Sequence, residues 1–295
     1  MMTMNGLIVV NKEKNMTSFD VVREIRKIFH TKKVGHLGTL DPLARGVLVI
    51  TINEGTKLAQ FIENVDKTYI ATIVIGKSTT TYDLEGEITC YKKVDYIEKD
   101  KIIDALHHFQ GKGLQTPPLY SAIKKNGKKL YEYARNGEDV KIEPREVEIK
   151  TIKMIGEPIF RNNECEFQFE TTVSKGTYIR SLCCDIAQHL GYPGYMKDLI
   201  RTQSGEFTID CSSTIEEIKN GDICFHTMLD ALKDYPMIDD EFIACKAKKG
   251  MMIGIANVSK YLNQLEDYIA IKRNEELIAI YKFCGTCYKA VRVWN

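Results

Sequence analysis

A lone acid in a glycine-rich stretch is the residue of this sequence best suited to do chemistry. The stretch GHLGTLDPLARGVLVI, residues 35–50, contains one acid, Asp41, directly before Pro42. A carboxylate oxygen can attack an electrophilic carbon or accept a proton and still depart afterwards. The neighbouring glycines let the backbone approach a ligand closely and leave the carboxylate exposed on a shaped loop. Aspartate before proline is also a preferred helix N-cap, so both interpretations stand at this point.

A basic stretch interleaved with tyrosines is the second candidate. Between Lys112 and Arg135, six basic side chains face one acid, Glu132, and three tyrosines stand among them. Lysine and arginine neutralise phosphates, and aromatic rings stack on unstacked bases, so this composition suits binding to a nucleic acid. A solvated lysine-rich loop is the alternative. The six basic residues are Lys112, Lys124, Lys125, Lys128, Lys129 and Arg135.

The segments that must position these groups are a mixture of helices and strands. Apolar residues recur at helical spacing after a cap at Thr17 or Ser18, and again over residues 174–191. Aromatic and β-branched residues predict strands over residues 67–76 and 164–173, the second with clean alternation. Since no regular β-α-β alternation is present, the pattern predicts an α+β fold.

The length and the charge of the chain limit the class of protein to which it can belong. The chain has 295 residues, 41 of them basic and 40 acidic, so any polyanion site must be a local patch. No apolar stretch approaches membrane-spanning length, and the start lacks the basic region of a signal peptide. We therefore expect a soluble, cytoplasmic protein that binds no membrane. A proline and several acids interrupt the pattern near residue 235, which predicts two domains, residues 1–235 and 236–295.

Cysteine usage indicates a reducing compartment. Nine cysteines without a regular framework spacing favour reduced thiols. Cys284 and Cys287 form one C-x-x-C pair, but no second pair or nearby histidine completes a four-ligand zinc site. We expect these two residues to flank a hairpin turn, with a metal or redox role as the alternative.

Five blocks of the sequence resemble, in order and spacing, the signature blocks of bacterial tRNA pseudouridine-55 synthases of the TruB type. The likeness runs from about Gly6 to Phe207 and continues more weakly to the end of the chain. It departs from the usual family pattern at Glu13, Leu37, Arg45 and Thr80, none of which is an assigned catalytic group. The five blocks are GHLGTLDPLARGVL, KTYIATIVIGKSTTTYDLEG, QTPPLYSAIKKNGKKLYEYARNG, SKGTYIRSL and LIRTQSGEF.

The resemblance implies a fold and a reaction. The fold is an α+β pseudouridine-synthase catalytic domain, with a mixed, largely antiparallel sheet flanked by helices, followed by a small, mostly-β PUA-like RNA-binding domain. The reaction converts uridine-55 in the T arm of tRNA to pseudouridine: the N1 glycosidic bond breaks, the base rotates and a new bond forms to C5. The family uses no cofactor and no metal. The implied partner is the T-arm stem-loop of tRNA, with no guide RNA, and the protein is expected to be a monomer.

The same resemblance assigns three residues to catalysis. Asp41, in TLDPL, is the catalytic aspartate, and whether it acts on the sugar or on the base stays open. Arg180, in GTYIR, is the active-site arginine, whose guanidinium forks onto Asp41 and holds one rotamer. Tyr69, in KTY, packs on the flipped uracil and is a candidate to take the C5 proton. From the residues alone, Arg180 is an exposed helix arginine and Tyr69 an ordinary strand tyrosine.

The remaining assigned residues surround the uridine. His36, in GHLG, enters the RNA loop where the uridine has left the stack, and Tyr178 and Leu199 line the uridine pocket. Asp83, in TTTYDLEG, is a family acid near the pocket. Turn formation by Asp83 and core packing by Leu199 are the alternatives that the residues alone allow. The basic stretch from Lys112 to Arg135 coincides with the family segment that folds over the RNA arm.

The target uridine is buried in folded tRNA, so the resemblance implies base flipping. Extrusion costs a few kcal/mol of lost stacking, which Tyr69 and His36 would replace. A protein that acts mainly as a tRNA-binding folding chaperone is the alternative from a different class.

Overall fold

The computed structural model describes residues 4–294, and within that range the chain forms eight α-helices and 19 strands. The helices are α1 (Ser18–Ile28), α2 (Ala59–Ile62), α3 (Lys99–His108), α4 (Leu130–Arg135), α5 (Ile179–His189), α6 (Ile215–Lys219), α7 (Glu241–Lys248) and α8 (Ile255–Val258). The strands are β1 (Gly6–Lys12), β2 (Val34–Leu37), β3 (Arg45–Ile52), β4 (Lys67–Ile75), β5 (Lys77–Thr79), β6 (Ile88–Tyr91), β7 (Gly111–Gln115), β8 (Lys124–Lys125), β9 (Lys128–Lys129), β10 (Arg145–Arg161), β11 (Glu164–Val173), β12 (Gly194–Ser204), β13 (Phe207–Thr208), β14 (Phe225–Thr227), β15 (Met237–Asp239), β16 (Ile253–Gly254), β17 (Tyr268–Arg273), β18 (Glu276–Phe283) and β19 (Cys287–Val293).

The first helix shows how local sequence fixes an element. The Thr17 hydroxyl accepts a hydrogen bond from the backbone N–H of Asp20, and the Asp20 carboxylate accepts one from the N–H of Thr17. This capping box satisfies backbone donors that the first turn leaves free. Val21 and Ile25 then lie on one buried face. The predicted helix is confirmed, with Thr17 as its cap.

One large sheet organises the chain up to about residue 227. Its main path runs β14-β1-β3-β12-β4-β11-β10-β7, and β2 and β13 add to β3 and β12 respectively. Strand β12 runs parallel to β3, whereas it pairs antiparallel with β4, and the remaining neighbours along the path are antiparallel. The predicted α+β fold with a mixed, largely antiparallel sheet is confirmed.

Periodic burial builds the core of this sheet. Cys165, Phe167 and Phe169 alternate inward along β11, as their pattern predicts, and all three are buried. Helix α5 covers the sheet with a stripe that includes Ile179 and Ile186, both buried. Burial of each such side chain stabilises the fold by about 1.5–3 kcal/mol. Helix α5 and its first residues are therefore held firmly against the sheet.

A second, smaller sheet occupies the end of the described chain. Its order is β15-β17-β18-β19-β16, and α7 packs on it around a separate apolar core. Hydrogen bonds join it to the large sheet's side of the molecule: Trp294 donates from Nε1 to the carbonyl of Glu54 at 3.3 Å, and the Tyr235 hydroxyl donates to the carbonyl of Phe61 at 2.8 Å. The predicted small, mostly-β C-terminal unit is therefore present.

The C-x-x-C pair lies at the turn between β18 and β19. The backbone N–H of Cys284 donates to the carbonyl of Cys287 at 2.9 Å, and both thiols are free. The predicted hairpin turn is confirmed. In the part of the chain that the structure describes, no helix combines the length and the apolar character needed to cross a membrane.

Candidate active site

Asp41 lies on a loop, not at the start of a helix. The Asp41 loop, residues 38–44, connects β2 to β3, and its only turn-type bond is the one from Ala44 N–H to the carbonyl of Asp41 at 3.1 Å. The helix-cap interpretation is wrong, because the apolar run after Ala44 enters the sheet as β3 and leaves no helical N–H groups for Asp41 to cap.

Hydrogen bonds from three buried side chains hold the backbone of this loop in place. The Ser18 hydroxyl donates to the carbonyl of Leu40 at 3.1 Å and accepts from its N–H at 2.9 Å. Lys12 donates to the carbonyl of Pro42 at 3.3 Å, and Arg201 donates to the carbonyl of Gly38 at 3.1 Å. The backbone around Asp41 is therefore fixed before any substrate binds.

Gly46, at the start of β3, allows the backbone of β12 to approach the end of the Asp41 loop. Its φ is 101°, a conformation that side-chain-bearing residues rarely adopt, and a Cβ at this position would overlap the backbone oxygen of Arg201. The close pairing of β3 with β12 at this point brings Arg201 beside the Asp41 loop.

Arg180 is the buried partner of Asp41. It is the second residue of α5, and its Nε lies 2.9 Å from Asp41 Oδ2. The Nε N–H is not directed at that oxygen, so the contact is an ion pair without a hydrogen bond. Its Nη1 and Nη2 donate to the carbonyls of Thr81 and Tyr120, each at 3.0 Å. The expected fork onto Asp41 is wrong, because the two terminal nitrogens serve backbone oxygens instead.

The expectation of an exposed helix arginine is also wrong, and the burial is unequal across the pair. The Arg180 side chain is 6% exposed, whereas that of Asp41 is 37% exposed. The guanidinium is therefore buried behind the carboxylate. The carboxylate is the member of the pair that a ligand can reach.

Asp83 forms a turn and also faces Arg180. Its Oδ2 lies 3.5 Å from Arg180 Nη1, and its Oδ1 accepts hydrogen bonds from the Thr81 hydroxyl and from the N–H of Glu85 at 3.1 Å. These bonds form the turn that sequence alone allows, and the same turn brings a buried carboxylate to the arginine. Asp83 is thus a support for Arg180 and does not line the cavity beside it.

A cavity of about 450 Å³ brings five of the assigned residues together. Its volume falls in the range of ligand pockets. Tyr178 is held at the start of α5 by the Gln115 side chain, which accepts from its N–H at 2.7 Å. Burial, reinforced by the charge of Asp41, raises the pKa of Tyr178 above its ordinary value, so the phenol stays protonated at neutral pH. The assigned residues on the wall are Asp41, Tyr69, Tyr178, Arg180 and Leu199.

His36, like Asp83, does not line the cavity. It lies on β2, opposite Ile50 of β3, and its buried Nδ1 has no hydrogen-bond partner among the described residues. Burial, with a smaller effect from the charge of Arg201, lowers the pKa of His36 below its ordinary value. The imidazole is therefore neutral at neutral pH, with one ring nitrogen still to be satisfied.

The basic stretch begins at Lys112 on β7, at the edge of the large sheet, and continues as the β8–β9 ribbon and the short helix α4 next to the cavity. Lys124 is exposed on β8, whereas Lys128 is paired with Glu138 at 2.6 Å, so the free positive charge is smaller than the sequence suggests. Lys129 and Arg135 lie over the Tyr131 ring, 5.4 and 5.3 Å from its centroid. Because Tyr131 also lines the cavity, the basic surface is continuous with it.

Three wall residues were not among the sequence candidates. Ser121 places a buried side chain at the cavity, and Lys67 and Arg201 place buried cations there. Lys67 could have been found from its strand, because it lies two residues before Tyr69 and therefore on the same face. Nothing local in the sequence marks the other two.

Comparisons with known proteins show the family of this chain. The profile described as "TruB family pseudouridylate synthase (N terminal domain)" matches residues 26–179, and the one described as "tRNA pseudouridylate synthase B C-terminal domain" matches residues 180–234. The tRNA pseudouridine synthase B of Bacillus pumilus is 41% identical over 293 residues, which are 96% of this chain and 91% of the relative. That of Staphylococcus epidermidis is 48% identical over 217 residues, 73% and 71% of the two chains.

Solved structures share the fold. The chain superposes on one in the "Crystal Structure of a Cbf5-Nop10-Gar1 Complex" with a TM-score of 0.70 and 24% identity, covering 98% of this chain and 84% of that one. A second match, "Structure of H/ACA RNP bound to a substrate RNA containing 2'-deoxyuridine", has a TM-score of 0.69 and 22% identity, covering 98% and 85%.

Fold, site and relatives together define the class: this is a pseudouridylate synthase, an isomerase. The chain belongs to the TruB family, as the five sequence blocks indicate.

Proposed function

We propose that this protein isomerises uridine-55 in the T arm of tRNA to pseudouridine, with Asp41 as the catalytic carboxylate. The observation that carries the proposal is the ion pair between a reachable Asp41 and a buried Arg180 on the wall of a cavity large enough for a nucleoside. The names of the relatives support tRNA as the substrate.

The reaction conserves atoms. The bond from N1 to C1′ breaks, the uracil turns, and C5 bonds to C1′; a proton leaves C5 and N1 ends protonated. Asp41 acts as the ionised oxygen that adds to the sugar, adds to the base or removes a sugar proton, and leaves again. Arg180 positions it without taking part in proton transfer, because a guanidinium stays protonated in proteins, and its terminal nitrogens are held by two carbonyl oxygens.

The cavity walls supply the contacts to the extruded base. Tyr69, buried on β4, packs on the uracil ring and is a candidate to accept the C5 proton, and Leu199 and Tyr178 close the pocket. His36 lies on β2, the strand that leads into the Asp41 loop. In the complex it occupies the space in the RNA that the uridine leaves. These contacts offset the few kcal/mol that extrusion costs.

The outer surface holds the RNA. The basic stretch from Lys112 to Arg135 binds the T arm, and the C-terminal unit, which we place from residue 236 onward, binds RNA as a PUA-like domain. The active form in this proposal is a monomer.

Release of tritium from unmodified tRNA labelled at uracil C5 tests the proposal. The wild type should release tritium, and Asp41→Asn should release none while it still binds tRNA. Asp222→Asn, a matched change at an exposed aspartate, should behave as the wild type. A folded wild type that binds tRNA without releasing tritium would contradict the proposed reaction, and turnover by Asp41→Asn would contradict the role of that residue.

A further inference from the structure

The cavity beside Asp41 has a second, positively charged end. Lys67 and Arg201 line it and are only 7% and 1% exposed. Lys175 lies at its rim with Glu63, the two forming an ion pair at 3.3 Å. We call this part of the wall, formed by Lys67, Arg201 and Lys175, the cationic end of the cavity.

Arg201 has one nitrogen to spare. Its Nε donates to the carbonyl of Val47 at 2.6 Å and its Nη2 donates to that of Gly38 at 3.1 Å. Its Nη1 donates no hydrogen bond to any residue in the range 4–294. A Cβ built on Gly38 would lie 3.4 Å from this Nη1 and 3.7 Å from Lys67 Cε, so the two cations converge below the same glycine.

The Lys67 ammonium also has an N–H group without an acceptor. Its ammonium donates to the carbonyls of Glu63, at 3.2 Å, and Val65, which leaves one of its three N–H groups free. Carbonyl oxygens satisfy N–H groups but do not neutralise charge. Burial, together with the charges of Arg201 and Lys175, lowers the pKa of Lys67 to about 8 in spite of the smaller opposing effects of Glu63 and Asp66, so the protein alone stabilises this ammonium poorly.

The one carboxylate described at the cationic end, that of Glu63, is paired with Lys175, so the two buried cations have no carboxylate partner of their own. Buried charges are normally paired, and within the described residues neither Lys67 nor Arg201 forms an ion pair with a carboxylate. Phosphate diesters are the only anions that RNA carries, and a planar guanidinium beside an ammonium suits their oxygens. Asp41 is three residues from Gly38, so the two ends of the cavity are neighbours along one loop.

We propose that Arg201 Nη1 and Lys67 Nζ bind one backbone phosphate next to the extruded uridine, which sets the depth at which the nucleotide enters. The inference rests on the proposed function, since it takes RNA as the ligand. It assigns a binding role to two residues that the chemistry at Asp41 does not use.

A neutral linkage in the RNA tests the proposal directly. Binding is measured for T-arm stem-loops that carry a methylphosphonate at one linkage at a time around the target uridine, with all proteins in the Asp41→Asn background. Lys67→Met should weaken binding of the unmodified stem-loop about tenfold to a hundredfold and lower the salt slope by about 1. At one methylphosphonate linkage, the variant and its parent should bind equally.

The controls separate a phosphate contact from a folding effect. Lys101→Met, at an exposed lysine on α3, removes the same charge outside the cavity and should change nothing. A loss in Lys67→Met that is the same size at every methylphosphonate linkage would overturn the subsite. Because this assay measures binding only, its failure is distinct from a failure of the wild type to release tritium, which concerns the proposed reaction.

Discussion

Replacing Arg180 by methionine removes the group that ties three distant segments to one point. Its terminal nitrogens hold the carbonyls of Thr81 and Tyr120, and the same guanidinium faces Asp83, which is 5% exposed. The methionine side chain fills a similar length without any donor. The variant therefore leaves the carbonyl oxygens of two half-buried residues without their donor, and one buried carboxylate without its cation.

The size of the effect can be worked from these contacts. Hydrogen bonds from a charged donor contribute about 1.5–3 kcal/mol each, and a buried carboxylate left unpaired costs about 3–5 kcal/mol. The contact to Asp41 adds little to stability, because that side chain is 37% exposed. Asp83 keeps the hydrogen bonds from Thr81 and Glu85, and contributions from one group are not additive, so we expect a loss of about 4–5 kcal/mol in the free energy of unfolding.

A second substitution isolates the charge. Asp83→Asn in the Arg180→Met background removes the uncompensated carboxylate, so the double variant should be more stable than the sum of the two single losses by about 1–3 kcal/mol. Urea unfolding followed by circular dichroism gives all four free energies. Arg161→Met, at an arginine that is 60% exposed, is the matched control and should cost less than about 1 kcal/mol. A loss below about 1 kcal/mol in Arg180→Met, or strict additivity with Asp83→Asn, would refute this account of the arginine.

Two further predictions concern the basic surface and a buried lysine. Lys124→Glu with Lys125→Glu should weaken tRNA binding and lower its salt slope by about 1–2, measured by filter binding across a salt titration; an unchanged slope would remove the stretch from the interface. Burial lowers the pKa of Lys12 from 10.5 to about 8, so between these values the unfolded chain binds more protons and this lysine makes the folded state more stable as pH rises. Lys12→Met should therefore reduce the pH dependence of the unfolding free energy between pH 8 and 9 by up to about 1 kcal/mol per pH unit; urea melts under reductant that show the parent slope would contradict this.

The elements that sequence predicts well are those whose signal is local. Helix α1 carries its own cap at Thr17, and β11 carries a strict alternation whose apolar members are buried. Both signals arise within about ten residues, where spacing alone sets which side chains share a face. The five ordered blocks add the family, because their order encodes a fold that no single block specifies.

The site is less predictable because its contacts join distant segments. Asp41 would cap a helix only if the next segment were helical, and the pairing of β3 with β1 makes that segment a strand. The carbonyl oxygens that bind Arg180 belong to residues 99 and 60 positions earlier in the chain, so no spacing rule reveals that the guanidinium is shared. The sequence therefore identifies Asp41 and Arg180 as partners but does not reveal which nitrogen of Arg180 faces Asp41.

Four buried cations surround the Asp41 loop, and their distribution explains why burial is tolerated there. Lys12, Lys67, Arg180 and Arg201 are each less than a tenth exposed, and backbone carbonyl oxygens accept hydrogen bonds from all of them. Among the described residues, Arg180 is the one of these four cations that also forms ion pairs with carboxylates. The fold thus satisfies the donors while leaving an excess of positive charge around one cavity, a cost that an anionic ligand offsets on binding. A protein that held these cations only for stability would gain by replacing them with apolar residues, whereas an enzyme that draws a phosphate-bearing nucleotide to Asp41 gains from keeping them.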